Sequence, residues 1–225
     1  MKISVIGTGK TGGKVVELLG DDLFEAFDRS NPPTVEKLKE SDAVIIFVPG
    51  DAVPDILDEV IESAVPAAWG TTGYDWPGEL EERVKAKNAK WVLASNFSLG
   101  MNIIRKSIET ISAGSSILED PKFHIHEVHH IHKKDAPSGT ALSWKEWLDK
   151  EAEVTSAREG DVKGIHELTM KTDTEEITLK HKALDRALFA EGAIWAAEQL
   201  INNSKIEAGI CTFGQLFDQV MEEQE

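Results

Sequence analysis

Between residues 126 and 142 the chain reads HEVHHIHKKDAPSGTAL, its densest gathering of groups able to move a proton or hold an anion. Three chemistries fit these residue types. The first is metal binding, since His124, His126, His129, His130 and His132 are numerous enough to ligate zinc. In a strand His124 and His126 share a face, with His130 on it if the strand extends that far, while His129 points away. No cysteine or well-placed carboxylate pair completes a usual set, so no metal is assigned. The second is a solvated basic surface. The third is an anion pocket with an acid–base group. Ser138, Gly139 and Thr140 lead into a predicted helix, whose free N–H groups, dipole and hydroxyls make a carboxylate seat. Lys133 and Lys134 add positive charge just upstream, and a histidine titrates near neutrality.

The rest of the composition sharpens that choice. Across 225 residues, 24 Lys and Arg against 40 Asp and Glu give a formal charge of −16. Such a field opposes nucleic acid and anionic membrane surfaces, so neither is expected as a partner. An anionic substrate would need a local positive island, and 126–142 supplies one. The lone Cys211 excludes an internal disulfide framework and suits a reducing compartment. MKISVIG breaks at Gly7 before any signal-like apolar run, and no stretch of about 18–20 apolar residues follows. A cytoplasmic protein is the expectation.

The elements that must position these groups fall into two patterns. KISVIG reads as a buried strand, GTGKTG as a turn and KVVELL as a helix with Val15, Val16 and Leu19 on one face. Gly7, Thr8, Gly9, Lys10, Thr11 and Gly12 thus form G-x-G-x-x-G between strand and helix, the arrangement that cradles a dinucleotide pyrophosphate. LFEAF (23–27) ends at Asp28, placed to accept from ribose hydroxyls as for NADH, and Arg29, able to meet the 2′-phosphate of NADPH. Strand–helix alternation continues with a helix at 34–40, a strand at 43–48, a helix at 51–63 capped by Asp51 with Pro54 in its first turn, and a strand at 64–69. A helix at 78–88 and a strand at 90–95 complete it. This predicts an α/β fold, a Rossmann-type doubly wound parallel sheet. Two loops, Gly70-Thr71-Thr72-Gly73 and Ala94-Ser95-Asn96-Phe97, lie at strand ends where such sheets bind ligands.

After a helix at 99–111 the pattern becomes α+β: a strand at 122–130, a helix at 141–153, and two strands at 164–172 and 175–183 joined by a short turn. A final helix covers 186–201. The expected organisation is a dinucleotide-binding domain at 1–99 plus about 187–225, with a substrate-binding and oligomerisation domain at 100–186.

HEVHHIHKKDAPSGTAL resembles the signature of dihydrodipicolinate (4-hydroxy-tetrahydrodipicolinate) reductases: a glutamate, paired histidines, a lysine, then D-A-P-S-G-T-A. Glu127, His129, His130, Lys133 and Asp135 through Ala141 meet every position. The resemblance extends to the Gly-rich loop, to GTTGY, ASNFSLGMNI and ITLKHKALDRALFAEGAIWAA, and so covers nearly the whole chain. It implies NADH- or NADPH-dependent reduction of a cyclic imine dicarboxylate in lysine and diaminopimelate biosynthesis. His129 would be the acid–base residue, Lys133 a proton donor and carboxylate partner, and His130, Ser138, Gly139 and Thr140 the holders of substrate carboxylates. Gly7 to Gly12, Asp28, Arg29, Gly70 to Thr72 and Ala94 to Phe97 would hold the cofactor, and the assembly would be a homotetramer. Three departures concern the cofactor side alone: a compressed segment between Asp28 and Ser41, FVPGD where the family more often has a Phe-Thr pair, and Thr11 where methionine or valine is common. Lys10 is placed to contact a cofactor phosphate. The rival readings are another two-domain NAD(P)-dependent amino- or imino-acid dehydrogenase and a catalytically silent NAD(P)-binding protein.

Overall fold

A computed structural model describes residues 1–223. In chain order its elements are β1 (Ile3–Ile6), α1 (Lys10–Leu19), β2 (Leu23–Phe27), α2 (Val35–Leu38), β3 (Ala43–Ile46), α3 (Leu57–Ser63), β4 (Ala67–Trp69), α4 (Leu80–Ala86) and β5 (Lys90–Leu93). They continue as α5 (Leu99–Ser115), β6 (Lys122–His129), α6 (Gly139–Leu148), β7 (Ala152–Arg158), β8 (Ile165–Lys171), β9 (Glu176–Lys182), α7 (Ala187–Asn202), β10 (Gly209–Thr212) and α8 (Phe213–Glu222). The chain divides into two compact units, one made of Met1–Ser98 with the chain from Arg186 onward, the other Leu99–Asp185.

The first unit is an all-parallel sheet in the order β10-β5-β4-β3-β1-β2. β1 and β3 are buried at every position, which is why ISVI and AVII are unbroken apolar or small runs rather than alternating ones. The order reverses between β1 and β3: the chain goes outward to β2, then crosses back. A crevice therefore opens past the carboxyl ends of these two strands, at Gly7 and Phe47.

The second unit is a mixed sheet in the order β7-β6-β8-β9, with β6 and β7 parallel through the α6 crossover and the other pairs antiparallel. Its core joins Ile104 and Ile108 of α5, Phe123 and Ile125 of β6, Trp144 and Leu148 of α6, and Leu168 and Met170 of β8. Alternation along β6 thus directs Phe123, Ile125, Glu127 and His129 to the helix-covered face. His124 and His126 take the opposite face, where both rings reach the Thr155 hydroxyl at 2.8 Å.

Several sequence expectations need correction. The helix read from Asp51 begins only at Leu57, so Asp51 is not its cap. Gly50–Ala52 forms a separate 3-10 turn, and Pro54, which has no N–H to continue a ladder, sits in the connection before Ile56 interrupts it at φ −128°, ψ −12°. The helix read through residue 153 stops at Leu148, where Asp149 turns left-handed at φ 48°. Ala152–Arg158 is instead β7, a strand the sequence reading did not contain; Val154 and Thr155 are β-branched and the segment pairs along β6. β10 and α8 were also unread, although α8 carries a capping box in which the Thr212 hydroxyl accepts from Gln215 N. Among the described residues no helix is long and apolar enough to cross a membrane.

Candidate active site

The first unit's crevice is a pocket of about 490 Å³ lined by Gly7, Gly9, Asp28, Arg29, Phe47 and Pro49, among others. Backbone builds it. A Cβ on Gly12 would lie 1.8 Å from the Gly7 carbonyl oxygen, and one on Gly7, at φ +91°, would lie 2.3 Å from that of Phe47. Only glycine lets β1, α1 and the end of β3 approach so closely. α1 starts at Gly9 without a side-chain cap, so its first-turn N–H groups stay available to an anion. Residues and backbone therefore fit a dinucleotide. Asp28 Oδ1 accepts from Ser30 N (2.8 Å), the Ser30 hydroxyl (2.7 Å) and Asn31 N (3.1 Å). Those bonds hold the carboxyl below its usual range, as an acceptor.

Thr8 is exposed on the loop, Lys10 is exposed at the first position of α1, and Thr11 is half-buried beside Gly12. After β4, Gly70 N donates to Ile46 O and the Thr71 hydroxyl to Val48 O at 3.0 Å, which ties this loop to the end of β3; Thr72 is exposed. After β5, Ala94 N donates to Trp69 O, Ser95 is exposed, and Asn96 Oδ1 accepts from Ser98 N. The Phe97 ring is core, edge-on to Phe47 and Phe213 at 5.9 and 4.9 Å, and its carbonyl packs against Gly192, so the residue as a whole is buried. FVPGD has a place here: Phe47, Val48 and Pro49 all line the pocket.

In the second unit the histidine-rich segment divides at the end of β6. His129 is buried on the helix-covered strand face, with Nδ1 3.0 Å from Glu127 Oε2. His130, just past the strand, is half-buried and lies 6.2 Å from the His132 ring. Lys133 Nζ pairs with Asp135 at 2.8 Å. Ser138 caps α6: its hydroxyl accepts from Ala141 N at 3.2 Å and its backbone N–H donates to Glu127 Oε1 at 3.0 Å. Gly139 is exposed and Thr140 half-buried at the helix start. The structure thus brings together His129, Lys133, Ser138, Gly139 and Thr140 on one strand–loop–helix segment.

Three further residues complete this corner. Glu127, fully buried, accepts from Arg158 Nη2 at 3.1 Å as well as from Ser138 N. Burial pushes its carboxyl up, but bonds from Ser138, Ser156 and Arg158 outweigh that and hold it down at about 2. Arg158 also donates to the Lys133 and Asp135 carbonyls, strapping that loop to β7. His166, on β8, has its ring 5.0 Å from that of His129 and Nε2 3.2 Å from the Ser138 hydroxyl; burial and the neighbouring His129 push it down to about 4. Burial also lowers His129, with Glu127 acting in the opposite direction. One sequence signal pointed to Glu127: an acid at a core-facing position of an alternating strand. Nothing local pointed to Arg158 or His166, which sheet register delivers.

Glu127, His129 and His166 each place a ligand-type atom within 4.8 Å of the others. Arg158 already neutralises the carboxylate and Lys133 adds a second positive field, which favours a hydrogen-bonded cluster over a bound cation.

Comparison with known proteins follows the same lines. The family description "Dihydrodipicolinate reductase, C-terminus" matches residues 100–215. A 4-hydroxy-tetrahydrodipicolinate reductase of Bdellovibrio bacteriovorus is 34% identical over 89% of this chain and 90% of its own. One from Haloarcula marismortui is 29% identical over 96% of this chain and 99% of its own. Among solved structures, a dipicolinate-bound dihydrodipicolinate reductase from Paenisporosarcina sp. TG-14 shares the fold at TM-score 0.74 and 17% identity, covering 94% of this chain and 97% of that one.

Proposed function

The chain belongs to the dihydrodipicolinate reductase family, and from that premise we propose how its residues reduce 4-hydroxy-tetrahydrodipicolinate to tetrahydrodipicolinate, a step of lysine and diaminopimelate biosynthesis. The carrying observation is the buried His129–Glu127 pair on the same segment as the α6 N-terminus and Lys133.

A nicotinamide dinucleotide, NADH or NADPH, supplies the hydride when bound. Gly7 to Gly12 and the bare start of α1 hold its phosphates, Asp28 accepts from ribose hydroxyls, and Arg29 beside it meets a 2′-phosphate. Gly70 to Thr72 and Ala94 to Phe97 present backbone groups at the ends of β4 and β5. In the second unit the first-turn N–H groups of Gly139 and Thr140 seat a substrate carboxylate, which takes the place of the Asp135 carboxylate now facing Gly139 N, with His130 as a further partner. Ser138 acts through the cap that fixes this turn, since its hydroxyl is engaged by Ala141 N. Lys133 exchanges its surface partner Asp135 for a substrate carboxylate and donates a proton, and His129 serves as the acid–base group. The family resemblance supports residue roles, a cytoplasmic setting and assembly as a homotetramer through the second unit's sheet.

The test is oxidation of NADH and of NADPH by purified protein, with substrate generated in situ by the preceding synthase. Turnover with at least one cofactor is expected. No turnover with either overturns the reading.

A further inference from the structure

One polar row crosses the helix-covered face of the second sheet. Register places Ser156, Glu127, His166 and His181 side by side on β7, β6, β8 and β9. The next row pairs His129 with Arg158. The same face is otherwise apolar, with Phe123, Ile125, Leu168 and Met170 in the core. An acid there is costly unless each oxygen has work.

Ser138 N and Arg158 Nη2 donate to Oε1 of Glu127, and the Ser156 hydroxyl also stabilises the carboxylate. Oε2 is different. It lies 3.0 Å from His129 Nδ1 and 3.7 Å from His166 Nε2, and has no aligned hydrogen bond. His129 Nδ1 has none either. Two buried polar atoms therefore lie within hydrogen-bonding distance of each other without an aligned bond between them. The other ring nitrogen, Nε2, is directed past Gly164, where an added Cβ would stand 3.2 Å away.

We propose that Glu127 is the positioning residue for His129. Its Oε2 accepts Nδ1–H, fixes the tautomer so that Nε2 is the atom that gives and takes the proton, and its charge supports the imidazolium while the proton is on the ring. This rests on the reading of His129 as the acid–base group. Every charged or titratable neighbour of His129 enters the balance: burial, Lys133 and Arg158 oppose the imidazolium, Glu127 and Asp135 favour it, and His129 in turn helps to hold His166 down. Burial keeps His166 neutral near pH 7, so it neither claims Oε2 as a cation nor supplies the proton itself.

Glu127→Gln separates positioning from packing, because its amide oxygen still accepts from Ser138 and Arg158 while the amide N–H2 cannot accept Nδ1–H. We expect kcat to fall on the order of a hundredfold with little change in KM for either ligand, and Glu127→Asp to recover part of it. The limb of the pH–rate profile that reports His129 should move to lower pH, by about one unit. Histidine-ring NMR of the unliganded protein reads the same device without turnover: wild type should show His129 as the Nδ1–H tautomer. The Nε2–H tautomer in wild type overturns the proposal even if Glu127→Gln does not fold. If His129→Gln is impaired but Glu127→Gln leaves the His129 titration and kcat unmoved, positioning alone is overturned. A fully active His129→Gln protein overturns the acid–base reading and the proposal with it.

Discussion

Both α1 and α6 point an N-terminus at a polar corner, yet α1 starts from Gly9 with no side-chain cap and α6 starts from Ser138, whose hydroxyl is taken by Ala141 N. The first corner is made of backbone: glycines whose missing Cβ atoms admit the neighbouring chain, and N–H groups left open. The second is made of buried side chains whose charges must balance, Glu127 against Arg158 with His129 and His166 between. A corner built of backbone holds its ligand mainly through groups that do not titrate, so it is less sensitive to pH but intolerant of volume. A side-chain corner tolerates shape changes at its rim but depends on protonation.

Four experiments, in falling order of effect, can break that contrast. His129→Gln removes the proton-transfer group and should lower kcat by about 10²- to 10⁴-fold with cofactor affinity intact, measured by steady-state kinetics and cofactor fluorescence. A parallel loss of cofactor binding would mean the two corners are not separable.

Acid should act on the second unit first. His166 is depressed from 6.5 to about 4, so the unfolded chain takes up a proton that the folded one refuses, and stability falls as pH drops from 6.5 to 4. Glu127 is depressed from 4.5 to about 2; its contribution is complete above pH 4.5 and is lost as pH falls from 4.5 to 2. Each amounts to roughly 3 kcal/mol over its window. Hydrogen exchange should show Leu99–Asp185 losing protection before the six-stranded sheet, and His166→Gln should flatten the upper window. Uniform loss across both units would contradict this.

Gly12→Ala should cost about 1–3 kcal/mol of first-unit stability and abolish tight dinucleotide binding, since the added carbon meets the Gly7 carbonyl rather than a movable side chain. Calorimetric melting and cofactor titration check it, and an unchanged melting temperature would refute the backbone account. The smallest effect is at an acid lining the backbone corner: Asp28→Asn should raise the NADPH-over-NADH ratio of kcat/KM roughly tenfold. An unmoved ratio would remove Asp28 from cofactor selection.

The same contrast explains what could be read in advance. LFEAF is a strand over the residues its composition predicts, and the glycine loop sits between strand and helix, because both depend on local sequence. His129, Lys133 and Ser138 through Thr140 were likewise legible, lying on one continuous segment. Arg158 was not: it meets Glu127 across 31 residues of sequence through the parallel β6–β7 pairing, and β7 itself was hidden behind a helix extended too far. β10 was missed because four residues give too little pattern for a strand until β5 is there to pair with it.

Arg158 spends its guanidinium on Glu127 and on the Lys133, Asp135 and Ala157 carbonyls. Its planar fork works as a bracket, and a lysine in its place could not reach so many acceptors from one ammonium. The loop carrying Lys133 is therefore fastened to the strand that carries His129, and the two must travel together. Anyone seeking to retune this protein toward a different acid should leave that bracket alone and work at Gly139 and Thr140, whose side-chain positions the bracket does not hold.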